Sequence, residues 1–145
     1  MDLTYSPADP ADAGTIFGLC KALIDQYEDI HAIPYEGVLN WVRQKINENI
    51  GSYTRIYADG RHAGFYRFIP NGDQMELDDL YIFPEFQNQG IGTRILTKCC
   101  RDSDRPVMLY VFSRNTGAWK LYRRMGFEIR ETVKNTRYIM VRENL

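Results

Sequence analysis

Three acids, Glu76, Asp78 and Asp79, crowd one short strand-like segment, and eight residues after the last of them begins the run Gln87-Asn88-Gln89-Gly90-Ile91-Gly92. The two clusters suit different parts of a group-transfer reaction. Glycines one residue apart let the backbone turn tightly, so consecutive N–H groups can point at an anion at the positive end of a following helix. Carboxylates in an interior strand are costly unless paired, and proton transfer is a task that justifies them.

Other phosphate loops fit the glycine pair poorly. A P-loop has four residues between its glycines and then Lys-Ser/Thr, whereas Gly90 and Gly92 are one residue apart and Thr93-Arg94 follows. The dinucleotide fingerprint requires Gly or Ala where this chain has Ile95, and it opens the first strand–helix unit rather than following three strands. For the loop taken alone, the alternative is a glycine pair that only turns a strand into a helix.

The elements that must hold these residues are legible from periodicity. After an extended start at Leu3–Ser6, Asp9-Pro10 offers an N-cap with proline at the first helical position. Ala13, Ile16, Phe17, Cys20, Leu23, Ile24 and Tyr27 then form one apolar stripe ending near Asp29. A second helix is predicted over Val38–Asn49, punctuated by Gly37 and Gly51. From Ser52 the period becomes two: Tyr53–Ala58 and His62–Ile69 are joined by Asp59-Gly60, and Asn71-Gly72-Asp73 leads into Met75–Phe83, an antiparallel meander closed by Pro84. A helix over Gly92–Arg101 turns Ile91, Ile95, Leu96 and Cys99 to the sheet, and Val107–Phe112 reads as a buried strand parallel to its predecessor. A helix from Thr116 to Met125 stops at Gly126, and Phe127–Thr132 and Arg137–Arg142 close the fold around Lys134-Asn135. The class is α/β (α+β), with about seven strands and four helices in a single domain over residues 1–145. Period-two geometry puts Glu76 and Asp78 on one face and Asp79 on the other unless a bulge intervenes.

Composition narrows the partners. Eighteen Lys and Arg against 19 Asp and Glu lack the positive excess of a nucleic-acid binder, so no nucleic acid is expected. Cys20, Cys99 and Cys100 form no disulfide framework or metal spacing, His31 and His62 lack partners at ligand spacing, and no metal is expected. The want of a disulfide framework makes a reducing cytoplasm the expected compartment, and since no segment approaches the ~20 apolar residues of a membrane span, no membrane is the expected partner.

The run from Leu80 to Gly92 closely resembles the acyl-coenzyme A signature of the GNAT N-acetyltransferases, Gln/Arg-x-x-Gly-x-Gly/Ala. A second block, from Asn115 to Phe127, is similar to the family's Asn-x-x-Ala-x-x-x-Tyr-x-x-x-Gly-Phe segment. The order of elements matches the family over nearly the whole chain. The resemblance implies the GNAT fold, a mixed and mostly antiparallel sheet splayed between its fourth and fifth strands. It also implies acetyl-CoA as acyl donor and an amine as acceptor. Leu80 and Ile82 would contact pantetheine through their backbone, Gln87, Gln89, Gly90, Ile91, Gly92 and Thr93 would surround the phosphates, and Asn115 would hold coenzyme or acceptor, or simply cap its helix. A side chain at Gly90 is expected to crowd the loop.

Acyl transfer to an amine needs a neutral nucleophile, a polarised carbonyl and a protonated leaving thiolate. An alkyl amine with a pKa near 10.4 is about 3.4 units from neutral at pH 7, a cost on the order of 4–5 kcal/mol. Glu76 stands where histone-type members carry their base, eleven residues before Gln87. The segment Asp78-Asp79-Leu80-Tyr81-Ile82 resembles a stretch of spermidine/spermine acetyltransferases in which the acid matching Asp78 removes the proton through water, and this places Asp78 slightly ahead. An ion pair with Arg55 or Arg67 is the alternative for either acid. Tyr122, seven residues after Asn115, would protonate the thiolate, a step uphill by only about 1.5 units; otherwise it is an ordinary packing tyrosine. Arg123 and Arg124 could meet the ribose phosphate, though exposed arginines need no such role.

The stretch Asp25–Glu36 is acidic and aromatic and lies where the family shapes its acceptor pocket, which favours an amine-bearing small molecule, a solvated helix end being the alternative. A protein lysine or N-terminus as acceptor, and a noncatalytic acyl-coenzyme A sensor, are the rival functions. A homodimer is one assembly the sequence allows.

Overall fold

The computed structural model describes residues 1–143. In chain order the elements are β1 (Leu3–Pro7), α1 (Ala13–Tyr27), α2 (Tyr35–Glu48), β2 (Tyr53–Ala58), β3 (Arg61–Asn71), β4 (Gln74–Ile82), α3 (Ile91–Asp102), β5 (Val107–Phe112), α4 (Thr116–Arg124), β6 (Glu128–Val133) and β7 (Arg137–Arg142). They form a seven-stranded sheet of order β1-β2-β3-β4-β5-β7-β6, antiparallel except for β4 against β5. The predicted mixed sheet, its four helices, the antiparallel meander of β2 to β4 and the parallel pairing of β5 with β4 are all present.

The sheet is covered on both faces. Ile16, Ile24, Leu39, Val42 and Ile46 of α1 and α2 pack with Tyr53, Phe65 and Tyr81 on one face. Ile91, Ile95, Leu96 and Cys99 of α3 pack with Ile56, Leu77, Leu109 and Met140 on the other, where Ala118, Trp119 and Tyr122 of α4 join them. Ile16 and Ile95 are wholly buried, and each such side chain contributes about 1.5–3 kcal/mol by leaving water.

Two helix starts differ from the sequence reading. Asp9 caps a 3-10 turn, Pro10–Asp12, rather than α1 itself: its side chain accepts from the Ala11 N–H at 2.9 Å, while Asp12 Oδ2 accepts from the Asp9 N–H at 2.9 Å. The second helix begins at Tyr35, so Gly37 lies inside its first turn and not before it. The reason is tertiary. The Tyr35 hydroxyl bonds Asp25 of α1, and Glu36 places a charge at the positive end of α2, which together outweigh the local cost of glycine.

Two irregularities in β4 prepare the site. Its ladder with β5 contains only Met75↔Val107 and Glu76↔Met108, so the strands part from Leu77 onward. On its other edge, Tyr66 pairs with Leu80 and Phe68 with Leu77, leaving Arg67 opposite both Asp78 and Asp79. This is a bulge, and Asp79 takes the left-handed conformation (φ 82°) that it requires.

Candidate active site

The loop before α3 is built to leave donors unpaired. Asn88 (φ 62°) and Gly90 (φ 81°) both turn left-handed, and Gly90 precedes the helix with no side-chain cap. Because the first helical acceptor, the Gly90 carbonyl, is taken by the Arg94 N–H at 3.0 Å, the N–H groups of Ile91, Gly92 and Thr93 have no intrahelical acceptor. The glutamines serve the loop itself: Gln87 Nε2 donates to the Ile82 carbonyl at 3.0 Å, and Gln89 Nε2 to the Glu85 carbonyl at 3.2 Å. Phe86, buried between them, anchors the turn. Beyond its own chain neighbours, no described residue comes within 4 Å of a Cβ built on Gly90, so the expected crowding does not come from these residues, and the positive φ is what demands glycine there.

The strand edge beside this loop is open. The Phe83 N–H donates to the Ala63 carbonyl at 2.8 Å, which by alternation aims the N–H groups of Leu80 and Ile82 away from β3 and into the gap left by β5. The same alternation brings the Gly64 backbone against the Tyr81 carbonyl. A Cβ on Gly64 would lie 1.9 Å from that oxygen, so no other residue fits without moving β4.

The bulge turns all three acids toward α1 and α2, and the surrounding cations then separate them. Asp78 Oδ2 receives Arg67 Nη1 at 2.5 Å and Lys45 Nζ at 2.8 Å, from a buried arginine of β3 and from the last turns of α2. Asp79 accepts from the Tyr53 hydroxyl at 2.8 Å and lies 3.8 Å from Lys45. Burial raises the Asp79 pKa, as does the charge of Asp78, against the opposing pull of Lys45. Burial also works against the Lys45 charge, but the carboxylates of Asp79 and Asp78 outweigh it and hold the ammonium firmly protonated. Glu76 has no cation within ion-pair distance among the described residues. It accepts one bond, from Asn71 Nδ2 at 3.1 Å, and burial followed by the charge of Asp78 raises its pKa. Arg55 binds neither acid: it pairs with Asp9 and Asp12, just before α1.

On the opposite face, Tyr122 of α4 packs toward Phe127 with ring centroids 6.1 Å apart. Its hydroxyl makes no hydrogen bond to another described residue, and burial raises its pKa. Asn115 caps α4, its side-chain oxygen accepting from the Ala118 N–H at 3.4 Å.

These groups line one cleft of about 1950 Å³ that runs through the splay: Leu80, Ile82, Gln87 and Gly90 to Thr93, then Asn115 and Tyr122, then Glu76, Asp78 and Asp79. Gln89 is the one predicted binding residue outside its lining. The other wall comes from α1, α2 and their connection, with Glu28, Asp29, Ile33 and Pro34, and from Trp41, which is 63% exposed. Lys45, Trp41 and Arg137 escaped the sequence reading. Lys45 carried a signal, since it interrupts the apolar stripe Val38, Val42 and Ile46 at helical spacing, where a cation needs a buried acid. Arg123 and Arg124 do not line the cleft; Arg123 lies over Trp119, 5.9 Å from its ring centroid. No group of His, Cys, Asp and Glu with the makings of a metal site exists among the described residues. No described helix is long and apolar enough to cross a membrane.

Comparison with known proteins agrees with this architecture. The model of the acetyltransferase (GNAT) family matches residues 17–127, and the chain belongs to that family. A curated relative, an uncharacterized N-acetyltransferase of Methanocaldococcus jannaschii, is 36% identical over 70 residues, 46% of this chain and 31% of the relative's length. Among solved structures, the PaiA N-acetyltransferase of Thermoplasma acidophilum, determined in complex with coenzyme A, superposes with a TM-score of 0.71 at 19% identity, covering 99% of each chain. An N-acetyltransferase of Staphylococcus aureus Mu50 gives 0.72 at 15% identity, covering 95% of this chain and 99% of its own.

Proposed function

We propose that this protein transfers the acetyl group of acetyl-CoA to the primary amine of a small molecule, by direct attack within a ternary complex. The observation that carries the reading is the cleft at the splay, into which Glu76 opens from one face of the sheet and Tyr122 from the other, the first without an ion pair and the second without a hydrogen bond to any described residue. The coenzyme's pyrophosphate sits on the N–H groups of Ile91, Gly92 and Thr93, at the positive end of α3. Its pantetheine replaces the missing strand, bonding to the backbone of Leu80 and Ile82.

Glu76 is the base in this account. The raised pKa makes it a stronger proton acceptor than an ordinary glutamate, the more distant charges of Lys45 and Arg67 pull it down less than burial and Asp78 push it up, and no cation pairs with it directly among the described residues. Asp78, favoured by sequence resemblance, is engaged by Arg67 and Lys45, so protonating it would break two ion pairs. Its charge acts on Glu76. Tyr122 is the acid: burial keeps its phenol protonated, poised to give its proton to the leaving thiolate.

Thiol release from acetyl-CoA in the presence of a panel of amines and lysine peptides tests the proposal. Amine-dependent release supports it. Release with peptides alone would favour a protein acetyltransferase, and coenzyme binding without release on any acceptor would favour a sensor.

A further inference from the structure

The acceptor side of the cleft is not uniformly acidic. Met108, Tyr110 and Phe112 alternate along β5 on the face that carries Glu76, because Glu76 pairs with Met108. Arg137 pairs with Phe112 and Ile139 with Tyr110, which brings Arg137 to the same face. Its guanidinium lies 5.6 Å from the centroid of the Tyr110 ring, two residues along β5 from its own pairing partner Phe112 and on the side of Met108, the residue paired with Glu76. Arg137 is half-buried, lines the cleft, and has no carboxylate partner among the described residues, although Glu28, Asp29 and Glu131 stand on neighbouring elements. Tyr110 beneath it is 44% exposed, an unusual state for an aromatic residue on a strand inside the sheet.

A half-buried arginine lying over an exposed ring, with its fork unoccupied among the described residues, is a receptor for a carboxylate or phosphate. From strand rise and spacing, the Cα atoms of Glu76 and Tyr110 are about 8 Å apart, which sets the base and the guanidinium within reach of one small molecule. We infer that the acceptor is an amine that also carries an anionic group a few carbons away, its ammonium delivered to Glu76 and its anion held by Arg137 over Tyr110. The inference rests on the acetyltransferase reading of the cleft and adds the acceptor's second charge. Binding by an arginine fork discriminates strongly against a neutral isostere, which leaves the guanidinium unpaired.

The test compares amino carboxylates with their carboxamides, β-alanine against β-alaninamide and γ-aminobutyrate against its amide, in the thiol-release assay. Calorimetric titration of the same pairs into the coenzyme A-loaded protein runs alongside. The expected result is a preference for the carboxylate of about 10²-fold in kcat/KM and at least about tenfold in affinity, reduced to within about threefold by Arg137→Met, chiefly through KM. Equal use of carboxylate and carboxamide by the parent protein would overturn the inference. So would a preference that survives Arg137→Met, or a variant that weakens both compounds equally. If no acceptor supports turnover, the catalytic reading fails, while the calorimetric preference still decides the anion site.

Discussion

Glu76, Asp78 and Asp79 are chemically alike and lie within one strand, yet their neighbours give them different work. Arg67 and Lys45 hold Asp78, Tyr53 holds Asp79, and Glu76 keeps a single amide bond and a raised pKa. Two substitutions separate the roles. Glu76→Gln is expected to abolish the acidic limb of the pH–rate profile, whereas Asp78→Asn should move that limb to lower pH, because it removes the charge that raises Glu76, and keep it. Loss of the limb in Asp78→Asn would return the base role to Asp78. That variant also leaves Arg67 without its carboxylate and Lys45 with Asp79 alone, at a cost of about 2–4 kcal/mol in denaturant unfolding. Stability carries a signature of its own. Since the folded pKa of Glu76 lies above its unfolded value, ionisation above that pKa opposes folding, and Glu76→Gln should raise Tm at neutral pH by about 1 °C, a modest gain because solvent screens a half-buried group. The gain should vanish as pH falls below the ordinary value of 4.5. Tyr122→Phe should lower turnover by about 10²-fold while leaving coenzyme affinity nearly intact, and unchanged turnover would remove the phenol from the mechanism. The residue types were readable in advance, but the ranking of the acids was not: Lys45 lies 33 residues from Asp78, and the bulge that turns Asp79 to the same face has no local marker.

Among the elements, β4 and the start of α3 carry the proposed donor site, and the placing of each depends on one glycine, Gly64 of β3 and Gly90. Gly90→Val should weaken coenzyme binding by at least about tenfold through its φ of 81°, whereas Gly90→Asn, which tolerates that conformation, should retain most of it; equal loss in both would point to crowding by the coenzyme instead. Gly64→Ala should push β3 from β4 and cost more than about 2 kcal/mol, measured by denaturant unfolding, because the new methyl meets a backbone oxygen that has nowhere to go. A parent-like stability would mean that the strands adjust freely. The alternation of β2, β3 and β4, the stripe of α3 and the turns at Asp59-Gly60 and Lys134-Asn135 were plain in the sequence, since each is a local pattern. The need for glycine at position 64 was not, because it arises from a carbonyl 17 residues away, and the start of α2 was misplaced because the Tyr35 tie to Asp25 is tertiary.

For the molecule as a whole, the decisive feature is a sheet that comes apart at its one parallel junction, where Met75 and Glu76 alone pair with β5. The order of elements and the two motifs foretold that junction, and membership of the GNAT family accords with them. The walls of the cleft were less legible. Its acidic side came from a run of neighbouring residues, Asp25–Glu36, but its cationic side depends on Arg137, whose position on the face of Ile139 and Val141 acquires meaning only once β7 is seen beside β5. The central claim is that a coenzyme thioester on one face meets an amine activated by Glu76 on the other. Thiol release from acetyl-CoA, followed with an amine acceptor from about pH 5 to pH 10 in the parent protein and in Glu76→Gln, tests it most directly. The account predicts amine-dependent release whose acidic limb disappears in the variant. An identical limb in both proteins, or coenzyme binding with no amine-dependent release, would contradict it.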